Sequence, residues 1–182
     1  ASRVNGLEVA GLELQPELVR LANENISRNG LGERVSIVEG DIGLPVRDLA
    51  ATGLEPNSWH HVFAKPPFHD PASNPASPDA GKAQSHLTLG SDLDDWVRFC
   101  CVMARAKGTV TFIHRADALA DLLGAMSGHL GGIEVFPLWP AAGKSASRVI
   151  VRGQRDSKAP LTLRPGLALH GPDGRFTRWP LY

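Results

Sequence analysis

Short apolar runs alternate with stretches of helical period along this chain, and that alternation constrains its fold more than any other feature. Residues 7–13 are apolar and end on an acid, Glu13. Pro16 then opens a segment in which Leu18, Leu21, Ala22, Asn25 and Ile26 recur at helical spacing. Asn29-Gly30 ends that helix, Val35-Ser36-Ile37-Val38 alternates as a strand, and Gly40-Asp41 punctuates its far end. Residues 59–64 predict a third strand, followed from 65 to 90 by a Pro, Ser, Ala and Asp-rich stretch without period. Ser91 with Asp94 is an N-terminal capping signal for a helix whose apolar stripe is Trp96, Phe99, Cys100 and Met103. Residues 108–114 read as a buried strand and 116–130 as a helix facing Leu119, Leu122, Leu123 and Met126 inward. Residues 133–138 and 147–151 read as two further strands.

Strands separated by helices pair in parallel through right-handed crossovers, whereas the last two, joined by a loop, predict an antiparallel hairpin. The expected fold class is therefore α/β, a Rossmann-like doubly wound and mostly parallel sheet with an antiparallel C-terminal edge hairpin. A tail with strand-like pieces at 161–163 and 167–170 and a Gly-Pro-Asp-Gly turn follows, and the expected organisation is one domain over residues 1–182. The apolar edge at 133–138 could pair with a partner or be covered by this tail, so the oligomeric state stays open.

At 182 residues the chain can bury a core without disulfides or structural metals. Cys100 and Cys101 are adjacent within an apolar helical stripe, which suits buried core residues and not a disulfide framework or a zinc site. No apolar run approaches the roughly 20 residues of a membrane span. The first six residues carry no apolar signal-peptide core. A soluble, cytoplasmic protein with no membrane partner is expected. Formal charge is zero, yet residues up to Trp139 carry 11 Lys and Arg against 17 Asp and Glu, and those after it 8 against 2. Lys144, Arg148, Arg152, Arg155, Lys158 and Arg164 are thus candidates for a phosphate-backbone surface or for a merely solvated basic face.

In open α/β sheets ligands lie beyond the carboxyl ends of the strands, which here carry Glu13, Asp41 and Lys65-Pro66-Pro67-Phe68. An acid ending a strand of a nucleotide-binding sheet accepts hydrogen bonds from both ribose hydroxyls, a role open to Glu13, with Leu14 following it. Asp41 could accept a hydrogen bond from an adenine amino group while Ile42 packs on the ring; as plain turn residues, Glu13 and Asp41 would need no ligand. Pro66 and Pro67 stiffen the exit of the third strand and present an aromatic residue, Phe68, on which a base can stack. His60 and His61 suit packing or strand edges, His86 and His114 lie at a loop and a strand end, and no His, Asp or Glu spacing suggests a metal site. The loop 69–90 could close over a substrate or be disordered.

The Pro-Pro-aromatic exit, with Glu13 before a helix, Gly40-Asp41, the Trp96 helix and the Leu167-Ala168-Leu169-His170 tail, resembles class I SAM-dependent methyltransferases that modify adenine N6 through an Asn/Asp-Pro-Pro-Tyr/Phe motif. The resemblance is closest to the bacterial tRNA (adenine-N6)-methyltransferases. It implies S-adenosyl-L-methionine as cofactor at Glu13, Leu14, Asp41 and Ile42, and tRNA as partner. It also implies catalytic positions at Lys65, Pro66, Pro67 and Phe68, with the Pro66 carbonyl accepting a hydrogen bond from the target amine and Phe68 stacking on the flipped base. Two departures stand out. Lys65 occupies the Asn/Asp position although an ammonium has donors only, and no Gly-x-Gly-x-Gly occurs. The first strand and glycine-rich loop of the family are accordingly expected to be absent from this chain, either lost from a longer protein or missing in a natural remnant. Two other readings remain: a methyltransferase for a small-molecule or protein acceptor, and a catalytically silent RNA-binding relative.

Overall fold

The computed structural model describes residues 3–50, 52–67 and 93–177. It divides into two compact units, Ala1–Pro56 and Asn57–Tyr182. Phe68, the loop 69–90 with His86, and the Ser91 cap lie outside the described residues.

The first unit is built on β1 (Val9–Glu13) and β2 (Val35–Glu39), paired in parallel with Val9 opposite Val35 and Glu13 opposite Glu39. Between them runs α1 (Pro16–Arg28). Pro16 suits the first helical turn because its missing N–H would have no partner there. Glu17 in that turn and Arg28 in the last one complement the helix dipole, and Arg28 also pairs with Glu24 one turn back at 2.5 Å. Gly30, at φ 62°, turns the chain into β2. A short helix, α2 (Val46–Ala50), follows; five residues are too few for a periodic signal, and the sequence gives no warning of it.

The second unit carries β3 (Trp59–Ala64), α3 (Leu93–Met103), β4 (Ala104–Arg115), a 3₁₀ turn (Ala116–Ala118) and α4 (Leu119–Met126). It continues with β5 (Leu130–Ala141), β6 (Arg148–Arg155), β7 (Thr162–Leu163) and β8 (Leu167–His170). Among its described residues the strands run in the order β3-β4-β6-β5-β7, with β8 also on β5. β3 and β4 are parallel, β6 is antiparallel to both β4 and β5, and β7 and β8 are parallel to β5. Alternate residues of β4 and β6, Val110, Phe112, Val149 and Val151, are buried, and Val97, Cys100, Leu122 and Met126 of α3 and α4 close over them. This is the helix-covered face of the sheet. Both cysteines are free and buried there, and burial pushes the Cys100 thiol up to about 12 and Cys101 to about 11.

Several expectations are corrected. Among the described residues the β strands form two sheets, of two and six strands, and not one. The pairing of β5 with β6 is antiparallel, but it is not the edge: β6 lies between β4 and β5, and the tail strands β7 and β8 cover the outer side of β5. Backbone groups left open at an edge are satisfied by any strand in reach, and here the tail supplies it. The helix expected over 116–130 is shorter because Gly128, at φ 82°, turns the chain directly into β5. β4 begins four residues ahead of Gly108, and its regular ladder with β3 resumes at Thr109, opposite His61, after a register shift.

Candidate active site

In the first unit the two parallel strands deliver Glu13 and Asp41 from the same end. Gly40 donates its backbone N–H to the Glu13 carbonyl at 3.0 Å, carrying the ladder one step past Glu39 before Asp41 leaves it. The Glu13 carboxylate accepts the backbone N–H of Gln15 at 3.0 Å through Oε1, and Asp41 Oδ1 accepts that of Gly43 at 2.8 Å. Each acid therefore has one oxygen tied to its own turn, which orients it and leaves the second oxygen for a ligand. A Cβ on Gly40 would lie 2.9 Å from Leu12 Cδ1, so a larger residue at this end would make the Leu12 side chain shift. Leu14 and Ile42 are half-buried beside the two acids in sequence. Two carboxylate acceptors and two apolar side chains at adjacent strand ends fit an adenosine, whose ribose hydroxyls and amino group are donors.

In the second unit Lys65, Pro66 and Pro67 leave the carboxyl end of β3. Pro66 is fully buried, Pro67 half-buried and Lys65 exposed, so the exit is anchored by the first proline while Lys65 stays at the surface. The last ladder pair of β3 with β4 is Ala64 opposite Phe112, and two residues on in each strand stand Pro66 and His114. His114 is 6% exposed, on the face of β4 that carries Val110 and Phe112. Burial pushes its pKa below the ordinary histidine value, and the charges of Arg115 and Arg148 act in the same direction. The backbone hydrogen bond at Arg115 and the Asp117 carboxylate oppose them without reversing the outcome, and near neutral pH the imidazole is uncharged. Trp96 on α3 has a buried Nε1 with no hydrogen-bond partner among the described residues.

Four of the predicted positions, Glu13, Leu14, Asp41 and Ile42, thus gather at one strand-end cluster, and Lys65, Pro66 and Pro67 at another. The buried His114 is a strand-end residue that the sequence marks only weakly, by its place in the period-two series Val110, Phe112, His114. His60 and His61 lie exposed on the edge strand β3, where His61 Nδ1 and Thr109 Oγ1 are 2.7 Å apart. No group of three or more His, Cys, Asp or Glu suited to a metal occurs among the described residues, and no helix among them is long and apolar enough to cross a membrane.

The basic residues offered as either a phosphate-backbone surface or a solvated face divide between different parts of the sheet. Arg152 and Arg164 both pair with Glu134, and Arg155 donates to Asn57 Oδ1 at 2.6 Å and to the Ala104 carbonyl. Hydrogen bonding to Arg164, and then to Arg152, holds the Glu134 carboxyl below the usual range. Lys144 and Arg148 stand apart at the other end of the sheet, with Arg148 donating to the Ser147 carbonyl at 2.8 Å.

No family model matches the chain, and no curated protein matches it. Solved structures do. A predicted O-methyltransferase from Agrobacterium tumefaciens superposes over 97% of this chain and 76% of its own, at 24% identity and a TM-score of 0.77. The tRNA (m1A58) methyltransferase TrmI from Aquifex aeolicus matches over 86% and 56%, at 16% identity and 0.56. A SAM-dependent O-methyltransferase from Thermotoga maritima matches over 83% and 51%, at 15% and 0.53. The chain spans about half the length of the latter two. These likenesses establish a Rossmann-like methyltransferase fold with a mixed sheet.

Proposed function

We propose that the chain is a SAM-dependent methyltransferase acting in the cytoplasm on the N6 amino group of adenine in RNA, with tRNA as its partner. The observation that carries this reading is the stiff Lys65-Pro66-Pro67 exit at the carboxyl end of β3, on a fold shared with solved methyltransferases. Glu13 and Asp41 hold the adenosine of S-adenosyl-L-methionine through its ribose hydroxyls and its amino group, with Leu14 and Ile42 against the base. When bound, that cofactor supplies an electrophilic methyl group on its sulfonium. The buried Pro66 fixes the chain so that its carbonyl accepts one N–H of the target amine, and Phe68 stacks on the base. The Pro66 carbonyl would hold the amine with its lone pair free for methylation, and the proton the amine gives up would pass to water.

Lys65 supplies no acceptor at the position where the resembled family has one. If this is what limits the reaction, Lys65→Asn raises adenine methylation of tRNA transcripts on the order of tenfold or more with unchanged SAM affinity. No gain in transfer of radiolabelled methyl groups sinks the adenine assignment. Glu13→Ala weakens SAM binding by calorimetry about tenfold or more, the worth of a hydrogen bond to a charged group. Unchanged affinity removes Glu13 from the cofactor site.

Lys65 also favours a second reading, in which the acceptor is a hydroxyl or another group that needs no orienting amide. Two of the solved neighbours are named O-methyltransferases. SAM binding with methyl transfer to small molecules or protein and none to RNA selects it. RNA binding without SAM binding selects a catalytically silent relative.

A further inference from the structure

The carboxyl end of the second unit's sheet is a positive strip, and it carries an exposed aromatic ring. Arg115 closes β4, and Arg148 opens the antiparallel β6 directly opposite it in the ladder. Lys144 lies in the turn after β5, its backbone N–H bonded to the Ala141 carbonyl at 3.2 Å, and is exposed. Because β8 is parallel to β5, with His170 opposite Ala141, the turn after β8 brings Arg175 and Phe176 to the same end. Phe176 is 77% exposed and rests on the His170 ring, with centroids 4.6 Å apart and planes tilted by 33°. His170 is itself positioned, its Nδ1 lying 2.9 Å from the Pro140 carbonyl. Among the described residues of these strand ends and turns the acids are Asp117, paired with Arg115, and Asp173, 4.0 Å from Arg175. Asp94 and Asp95 open the crossover helix α3 at that end, so the positive strip follows the sheet and not the helix layer.

We propose that this strip, with Arg115, Lys144, Arg148 and Arg175 as its cations and Phe176 as a stacking platform, binds the RNA backbone flanking the target base. The inference rests on the RNA reading above and assigns where that RNA lies. From the Lys65-Pro66-Pro67 exit of β3 to β8 is four inter-strand steps, roughly 19 Å at about 4.8 Å each, enough to engage several phosphates. Closely spaced cations beside an exposed ring are the arrangement by which proteins hold single strands: phosphates release counterions to the cations, and a base stacks on the ring. Arg152, Arg155, Lys158 and Arg164 take no part because of where they lie: Arg152 and Arg164 converge on Glu134, Arg155 reaches Asn57 and the Ala104 carbonyl at the start of β4, and Lys158 follows β6 at the opposite end of the sheet.

The test measures binding of a fluorescein-labelled tRNA transcript against salt, with SAM affinity by calorimetry alongside. The paired substitution Lys144→Gln with Arg148→Gln lowers RNA affinity at least fivefold and reduces the salt slope by roughly 0.7–0.9 per lost phosphate contact. Phe176→Ala lowers affinity about fivefold or more. Phe176→Leu keeps an apolar side chain on His170 and loses the same affinity, which separates stacking from folding. Lys158→Gln stays within twofold, and SAM affinity is unchanged throughout. Equal RNA affinity in wild type and strip variants, or no RNA binding by wild type, overturns the proposal. Weakened RNA binding by the strip variants when wild type methylates no adenine upholds the strip and removes only the adenine reading.

Discussion

His114 is the buried residue whose charge state the fold sets most clearly. Its pKa in the folded chain lies below the ordinary value of about 6.5 because burial penalises the imidazolium. The unfolded chain therefore takes up its proton first as pH falls. The stability that depends on a neutral His114 is fully present above about pH 6.5 and is lost as pH drops from there toward the lower folded value. The unfolding free energy of the wild type, from urea titrations, is expected to decline through this window with a slope of at most about 1.4 kcal/mol per pH unit for one proton. In His114→Gln, whatever its absolute stability, that slope should flatten. Equal slopes in the two proteins would assign the loss to other groups. The effect arises because His114 stands on the covered face of β4.

Among the elements, β5 depends most on where its glycines fall. Between Gly131 and Glu134 its ladder with β6 slips by one residue, a bulge that Gly132 accommodates at φ 56°. A Cβ on Gly131 would collide with the backbone carbonyl of Ser157, which no rotamer change can relieve. Gly131→Ala is accordingly expected to destabilise the protein by on the order of 2–4 kcal/mol, as overpacking against a fixed backbone does. Thermal unfolding checks it, with Gly124→Ala as control, since nothing lies within 4 Å of a Cβ at that helical position. A Gly131→Ala protein that melts with the wild type would mean that the chain after β6 yields freely. The same bulge explains part of what sequence reading misjudged. Residues 133–138 read as a short strand because the glycines before them look like punctuation, yet they are the bulge through which one twelve-residue strand runs.

Across the whole molecule, protection is unevenly spread. The second unit has a continuous apolar cluster around Phe112, Val110, Leu122 and Met126, all at 0% exposure. In the first unit neither the two strands nor α1 contains a buried residue, and a two-stranded sheet is marginal in water. Hydrogen exchange should therefore be slowest in β4 and β6 and faster, by an order of magnitude or more, in β1, β2 and α1. Uniform protection across both units would refute this. The sequence alone sufficed for the alternation of strands and helices, the parallel pairing of β1 with β2 and β3 with β4, the burial of both cysteines, and the strand-end positions of Glu13, Asp41 and Lys65, because periodicity and turn residues act locally. Only the tertiary structure decided that β6 inserts between β4 and β5, that the tail covers the outer side of β5, and that the basic residues divide between Glu134 and the far end of the sheet. Those outcomes depend on which strand edge each segment meets and which carboxylate each guanidinium reaches, contacts between residues distant in the chain that carry no local signal.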